Sequence, residues 1–191
     1  MTYTGLQLLV VYSRRGDSGE TDTASGKRLK KDDPIMEWEG TLDELIANLG
    51  YSKVQIPWND IRDDISQVQM DLFHLGEEIL TSGKGRKLRD DGVTWMEARI
   101  AVYLKEIGEI KLFVVPGGSQ EAASLQLSRT VTRRAERRLV ELNEVEKVNP
   151  LSLQYLNRLS SLIFMMSLAA NKRRKIEEVI FPWPNPKKNE Q

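Results

Sequence analysis

Leu159 to Ala170 is an almost unbroken apolar stretch, inside a segment that opens at Asn149-Pro150 and runs to about Arg174. Asn followed by Pro is a start signal, so the segment reads as a helix, and a helix apolar on nearly every side must be enclosed by other helices. The rest of the chain supplies them. Ile61, Ile65, Val68, Leu72, Leu75 and Ile79 recur at three- and four-residue spacing and predict a long amphipathic helix from just after Pro57 to near Ser82-Gly83. Trp95, Ala98, Ile100, Ala101, Tyr103 and Leu104 predict another, ending at Gly108, and Ser119 opens one that runs to about Lys147. Upstream, Leu42, Leu45, Ile46 and Leu49 give a short stripe that Thr41 would cap and Gly50 would stop or interrupt. Leu112 to Val115 reads as extended. The expectation is an all-α fold, a five-helix antiparallel bundle with short connections.

A length of 191 residues fits one domain over residues 1–180, with a flexible tail over 181–191 that Pro182, Pro184 and Pro186 keep from being helical. Lys and Arg total 28, as do Asp and Glu, so no overall field gathers nucleic acid or membrane lipid, and any basic site must be local. Cysteine is absent, which excludes thiolate nucleophiles and Cys-ligated metals. The apolar run Leu6 to Tyr12 is too short for a signal core, and a cytoplasmic setting is expected. The single histidine, His74, has Asp71 three residues before it and no second histidine elsewhere, so a paired Glu-x-x-His di-iron site and a Ser-His hydrolase are both disfavoured.

Two segments carry cations in a pattern that suits phosphate. The loop 12–31 has no apolar period and holds Ser13, Arg14, Arg15, Gly16, Thr21 and Asp22, followed by Gly26-Lys27-Arg28 and Lys30-Lys31. Glycines admit close approach of backbone N–H groups to an anion, and the cations neutralise it. The Walker pattern is absent, and a solvated basic loop would look the same. From Arg129 to Arg138, arginine occupies five of ten positions, with Arg129, Arg133 and Arg137 on successive turns of one helix face and Glu136 beside them. A charge run is usually a solvated face. Arginine in place of lysine favours two-donor recognition of phosphate or carboxylate. Asn157 and Arg158, at the start of the apolar helix, could meet this stripe if the two helices pair antiparallel.

These segments, taken in order with Phe113-Val114-Val115-Pro116-Gly117-Gly118, resemble the ATP:cob(I)alamin adenosyltransferases of the PduO type, from about Tyr12 to Asn171. The resemblance implies a ferritin-like five-helix bundle, assembled as a homotrimer with its active sites at subunit interfaces. It implies ATP and cobalamin as substrates, with Mg²⁺ held mainly through the phosphates. Ser13, Arg14, Arg15, Gly16, Thr21, Asp22 and Lys31 of one subunit would surround the nucleotide, completed by Arg133, Arg134, Glu136, Arg137 and Asn157 of its neighbour. Arg133 and Arg137 would act on the departing triphosphate. Asp43 would pair across the interface with Arg129, and Phe113 would occupy the lower face of the corrin, displacing the axial base. A cobalamin reductase and an adenosylcobalamin-dependent acceptor enzyme are the implied partners, with no role for nucleic acid or membrane. Asp22-Thr23-Ala24-Ser25-Gly26 stands where members commonly have Ser-Leu-Leu-Gly-Gly, Ile46 where Asn is usual, and Ser161 where Asp is usual. Those departures leave a non-catalytic ATP- or corrinoid-binding homologue as the alternative, with a helical nucleic-acid-binding protein more distant.

Overall fold

The computed structural model describes residues 14–110 and 113–182. Five helices form the expected antiparallel bundle: α1 (Pro34–Gln55), α2 (Asn59–Leu80), α3 (Gly92–Ile107), α4 (Gln120–Val145) and α5 (Pro150–Arg173). α4 packs most extensively on α5 and α1, α3 packs on α5, and α2 packs on α1. The core sits on α5, where Leu159, Leu162, Ile163, Met166, Ala169 and Ala170 are buried, as the apolar run required. None of the described helices is long and apolar enough to cross a membrane.

The starts of α2, α4 and α5 follow the sequence signals, and that of α1 does not. Ser119 caps α4 by accepting from the Ala122 N–H at 3.1 Å, and Asn149 caps α5 by accepting from the Leu151 N–H at 3.0 Å. α1 begins seven residues before Thr41, at Pro34, because Asp33 accepts from the Ile35 N–H at 2.9 Å and the proline fits the first helical position. The Thr41 hydroxyl donates to the Glu37 carbonyl instead, at 2.8 Å. α1 also continues through Gly50: a Cβ there would stand 3.4 Å from Gln69 Nε2 of α2, and the following Ser52 is buried against Ser128 of α4, their hydroxyls 3.0 Å apart. Tertiary packing on both sides outweighs the cost of about 1 kcal/mol for a glycine inside a helix.

Two aspartates one heptad apart on α2 fasten it to the rest of the bundle. Asp64 accepts from the Tyr103 hydroxyl at 2.6 Å and from Arg99 Nε at 2.8 Å, both on α3. Asp71 accepts from the Tyr155 hydroxyl of α5 at 2.9 Å and from Arg89 Nε at 3.0 Å. Burial pushes the Asp64 carboxyl up, against the pull of Tyr103 and Arg99. The same burial, aided by Asp71, drives the Tyr155 phenol well above its ordinary value and keeps it a donor.

Outside the helices, β1 (Glu20–Asp22) and β2 (Arg28–Lys30) pair antiparallel as a small hairpin within the segment expected to be a loop. It lacks an apolar face because charges hold it: Arg28 Nε donates to Glu20 at 3.0 Å, and Arg15 and Arg28 both meet Asp22, at 3.2 and 3.3 Å. At the other end of the chain, residues 176–182 run back along the α3–α4 connection. Val114 and Ile180 form an antiparallel bridge, the Val115 N–H donates to the Val179 carbonyl at 2.7 Å, and the Phe181 N–H donates to the Phe113 carbonyl at 2.9 Å. Phe113 is not extended: its φ is 61°, in the left-handed region. Leu112 and residues 183–191 lie outside the described residues.

Candidate active site

The arginines of α4 fall into two rows with different partners. Arg134 pairs with Glu44 of α1, and Arg138 pairs with Glu37 of α1 at 3.2 Å and with Glu141 at 2.7 Å. That row staples α4 to α1. One step around the helix, Arg129, Arg133 and Arg137 make no ion pair among the described residues. Arg129 Nε donates to Gln126 at 2.7 Å and its guanidinium lies 5.9 Å from the Phe164 ring of α5, while Arg137 donates to the Arg133 carbonyl at 3.1 Å. Burial, and then repulsion from Arg133, pull the Arg129 guanidinium below its ordinary value, the signature of cations lacking a counter-charge. Arg133, Glu136, Arg137, Val140 and Glu141 line an open depression of about 460 Å³. Asn157 of α5 donates to Glu136 at 2.8 Å at its edge, so the expected meeting of the fifth helix with the stripe does occur.

An acidic counterpart stands on α1. Asp43 is exposed and makes no ion pair among the described residues. Glu39, one turn before it, has a carboxyl raised first by burial and then by Asp43. Among the described residues, therefore, α1 presents acidic side chains and α4 a basic row that make no ion pairs of their own. Within one chain Asp43 and Arg129 do not pair.

The hairpin segment is pre-formed around glycine. Gly16 lies beneath the Lys31 ammonium, where a Cβ would stand only 3.2 Å from Nζ, and the Lys31 N–H donates to the Gly19 carbonyl at 2.9 Å. Arg28 also donates to the Arg15 carbonyl at 2.7 Å, so Arg14, Arg15, Gly16, Thr21 and Lys31 sit on one small scaffold. Asp22, expected at the nucleotide, is the acceptor that closes this scaffold against Arg15 and Arg28, which explains how a carboxylate is tolerated there. Lys27 and Glu146, 3.9 Å apart, tie the hairpin turn to the end of α4. Ser13 lies outside the described residues. Ile46 packs against the core, and Ser161 is exposed on α5.

Phe113 is about half exposed, at the opposite end of α4 from the hairpin. From Ser119 to Arg133 the helix rises about 21 Å, so Phe113 and Arg133 lie far apart along α4, with Arg129 part-way between them.

The family model for cobalamin adenosyltransferase matches residues 11–170. The chain belongs to the cobalamin adenosyltransferase family. Among its curated relatives in that family, the corrinoid adenosyltransferase of Bacillus subtilis is 37% identical over 88% of this chain and 90% of its own length. The cobalamin adenosyltransferase of Cupriavidus metallidurans is 36% identical over 88% and 91%. Among solved structures, a variant PduO-type ATP:corrinoid adenosyltransferase from Lactobacillus reuteri, complexed with cobalamin and ATP, aligns with a TM-score of 0.85 at 30% identity, over 90% of this chain and 99% of that one. The basic row is legible from its helical period alone. The ion pairs of Arg134 and Arg138 with α1 carry no local signal, because Glu44 and Glu37 lie on a different helix far upstream.

Proposed function

We propose that this chain transfers the 5′-deoxyadenosyl group of ATP to the cobalt of cob(I)alamin, releasing triphosphate, in a homotrimer whose sites lie between subunits. The observation that carries the reading is the row Arg129, Arg133 and Arg137, which makes no ion pair among the described residues while the adjacent row is ion-paired, with Arg133 and Arg137 lining an open depression. Like charges at each turn of a helix repel, and a bound triphosphate relieves that repulsion. The hairpin of a neighbouring copy, with Arg14, Arg15, Gly16, Thr21 and Lys31, supplies the other wall. Asp43 and Glu39 of one copy complement Arg129 of the next.

In the reaction the electron pair of Co(I) attacks C5′ of ATP, the C5′–O bond breaks, and triphosphate leaves with that bond's electrons; cobalt is oxidised formally by two. No proton moves in this step, so a chain with no cysteine and one histidine lacks nothing the chemistry requires. The protein's part is alignment, stabilisation of growing charge on the triphosphate by Arg133 and Arg137, and positioning of Phe113 against the lower corrin face. The described residues contain no cluster of three His, Asp or Glu able to hold a metal. Mg²⁺ would be carried mainly by the ATP phosphates, where it would add charge neutralisation to that of Arg133 and Arg137.

The test is anaerobic incubation with reduced cobalamin, ATP and Mg²⁺, following conversion of the cob(I)alamin spectrum to that of adenosylcobalamin. Wild-type chain forms product, and Arg133→Ala loses turnover by about 100-fold or more, the scale of a lost transition-state donor. ATP binding with no product from the wild type would favour the non-catalytic homologue.

A further inference from the structure

Phe113 holds a backbone conformation that a bulky residue rarely adopts unaided, with φ at 61°. Something must over-determine it. Two main-chain bonds from the 179–181 segment act directly, on the Phe113 carbonyl and the Val115 N–H. What fixes that segment and the connection to one another is Asn171, in the last turn of α5 and only 3% exposed. Its Oδ1 accepts from the Ser119 N–H at 2.8 Å, and its Nδ2 donates to the Gly117 carbonyl and to Glu178 Oε1, both at 3.1 Å. The Asn171 carbonyl accepts from the Ile176 N–H at 2.9 Å. One amide thus uses both donor hydrogens and its oxygen to join α5, the start of α4, the Phe113–Gly118 connection and the returning segment. Gly118 completes the fit: φ is 95°, and a Cβ would fall within 2.3 Å of Asn171 Oδ1.

We infer that Asn171, through its clasp on Gly117 and Glu178, is a positioning residue that sets Phe113 for the corrin side of the reaction. The inference rests on the lower-face reading of Phe113. The nucleotide row lies several turns away on α4, so the clasp acts on one substrate only.

Asn171→Asp is the discriminating variant, because it keeps shape and the acceptor for Ser119 but sets a carboxylate against the Gly117 carbonyl and Glu178. The expected result is ATP affinity within about twofold of wild type and kcat/KM for cob(I)alamin lower by roughly 10- to 100-fold, the scale of a displaced contacting group. In the presence of ATP, the electron paramagnetic resonance spectrum of bound cob(II)alamin should regain splitting from its axial nitrogen, as in Phe113→Ala. Adding Glu178→Gln to Asn171→Asp restores a donor across the pair and should recover part of the loss. Wild-type cob(I)alamin kinetics and spectrum in Asn171→Asp would overturn the inference, as would an equal loss of ATP affinity, which would mark a general structural role. If Phe113→Ala itself leaves axial ligation unchanged, the lower-face reading fails and the inference falls with it; if Phe113→Ala changes ligation and Asn171→Asp does not, the clasp alone is refuted.

Discussion

Asp71→Ala should be among the most damaging single changes to this bundle outside the apolar core. The Asp71 side chain is 1% exposed, and its removal takes the acceptor from the Tyr155 hydroxyl, Arg89 Nε and Gln67 Nε2. Breaking a buried pair by deleting one partner costs about 3–5 kcal/mol. The Arg89 side chain is 25% exposed, stacks 4.8 Å from the centre of the Trp95 ring and keeps Asp91 at 3.1 Å, so its guanidinium retains a counter-charge and some water and its share lies at the lower end. The Tyr155 hydroxyl is fully enclosed and cannot, which adds about 1 kcal/mol or more. The sum is about 4 kcal/mol, equivalent to a melting temperature lower by roughly 8–16 °C for a chain of this size. Guanidinium unfolding at one fixed protomer concentration measures it, since association would otherwise add to the apparent stability. Tyr155→Phe alone should cost about 1–2 kcal/mol, and the double variant less than the sum of the two. A loss below about 1 kcal/mol in Asp71→Ala, or strict additivity with Tyr155→Phe, would refute the claim that the Tyr155 hydroxyl depends on this carboxylate as its acceptor.

Two further outcomes follow from charge. Arg129→Asp should weaken self-association by about tenfold or more in sedimentation equilibrium, and Asp43→Arg in the same chain should recover part of it, as expected for like charges juxtaposed and then re-paired; unchanged association in Arg129→Asp would remove the pair from the interface. Asp60 has a carboxyl held below its ordinary range, first by its hydrogen bonds to Arg173. Its contribution is therefore present above the ordinary aspartate range and lost as pH falls through the depressed value. Asp60→Asn should cost no more than about 1 kcal/mol at pH 7, because the pair is partly exposed, and the difference from wild type should close in strong acid; a gap that widened on acidification would contradict this assignment.

How much of this was legible beforehand depends on where the signal resides. Periodicity and caps within one segment announced α2 to α5 nearly to the residue, because Ser119, Asn149 and Pro150 act on their own neighbours. α1 was shortened at both ends, since Thr41 imitates a cap and Gly50 imitates a stop; what overrules them is packing on α2 and α4, which no local window contains. The hairpin escaped notice because its cross-strand pairs are Arg28 with Glu20 and Asp22, not alternating apolar residues. At the site, residue types and spacing pointed to the α4 arginines, but dividing them into a stapling row and an uncompensated row required knowing that α1 lies alongside. Asn171 was invisible as a functional residue: in sequence it is one polar residue at the end of an apolar run.

The bond from Phe181 back to Phe113 gives the two halves of the site different histories during synthesis. Chains emerge from the N-terminus, and helices can pack as they appear. The basic row is in place once α4 and its neighbours have docked, whereas the two main-chain bonds that restrain Phe113 can form only after residues 179–181 have been released and folded back. A chain interrupted shortly after α5 would retain the bundle and its nucleotide face yet leave Phe113 without its two main-chain restraints, so that nucleotide binding would report an intact protein while the corrin side was never finished.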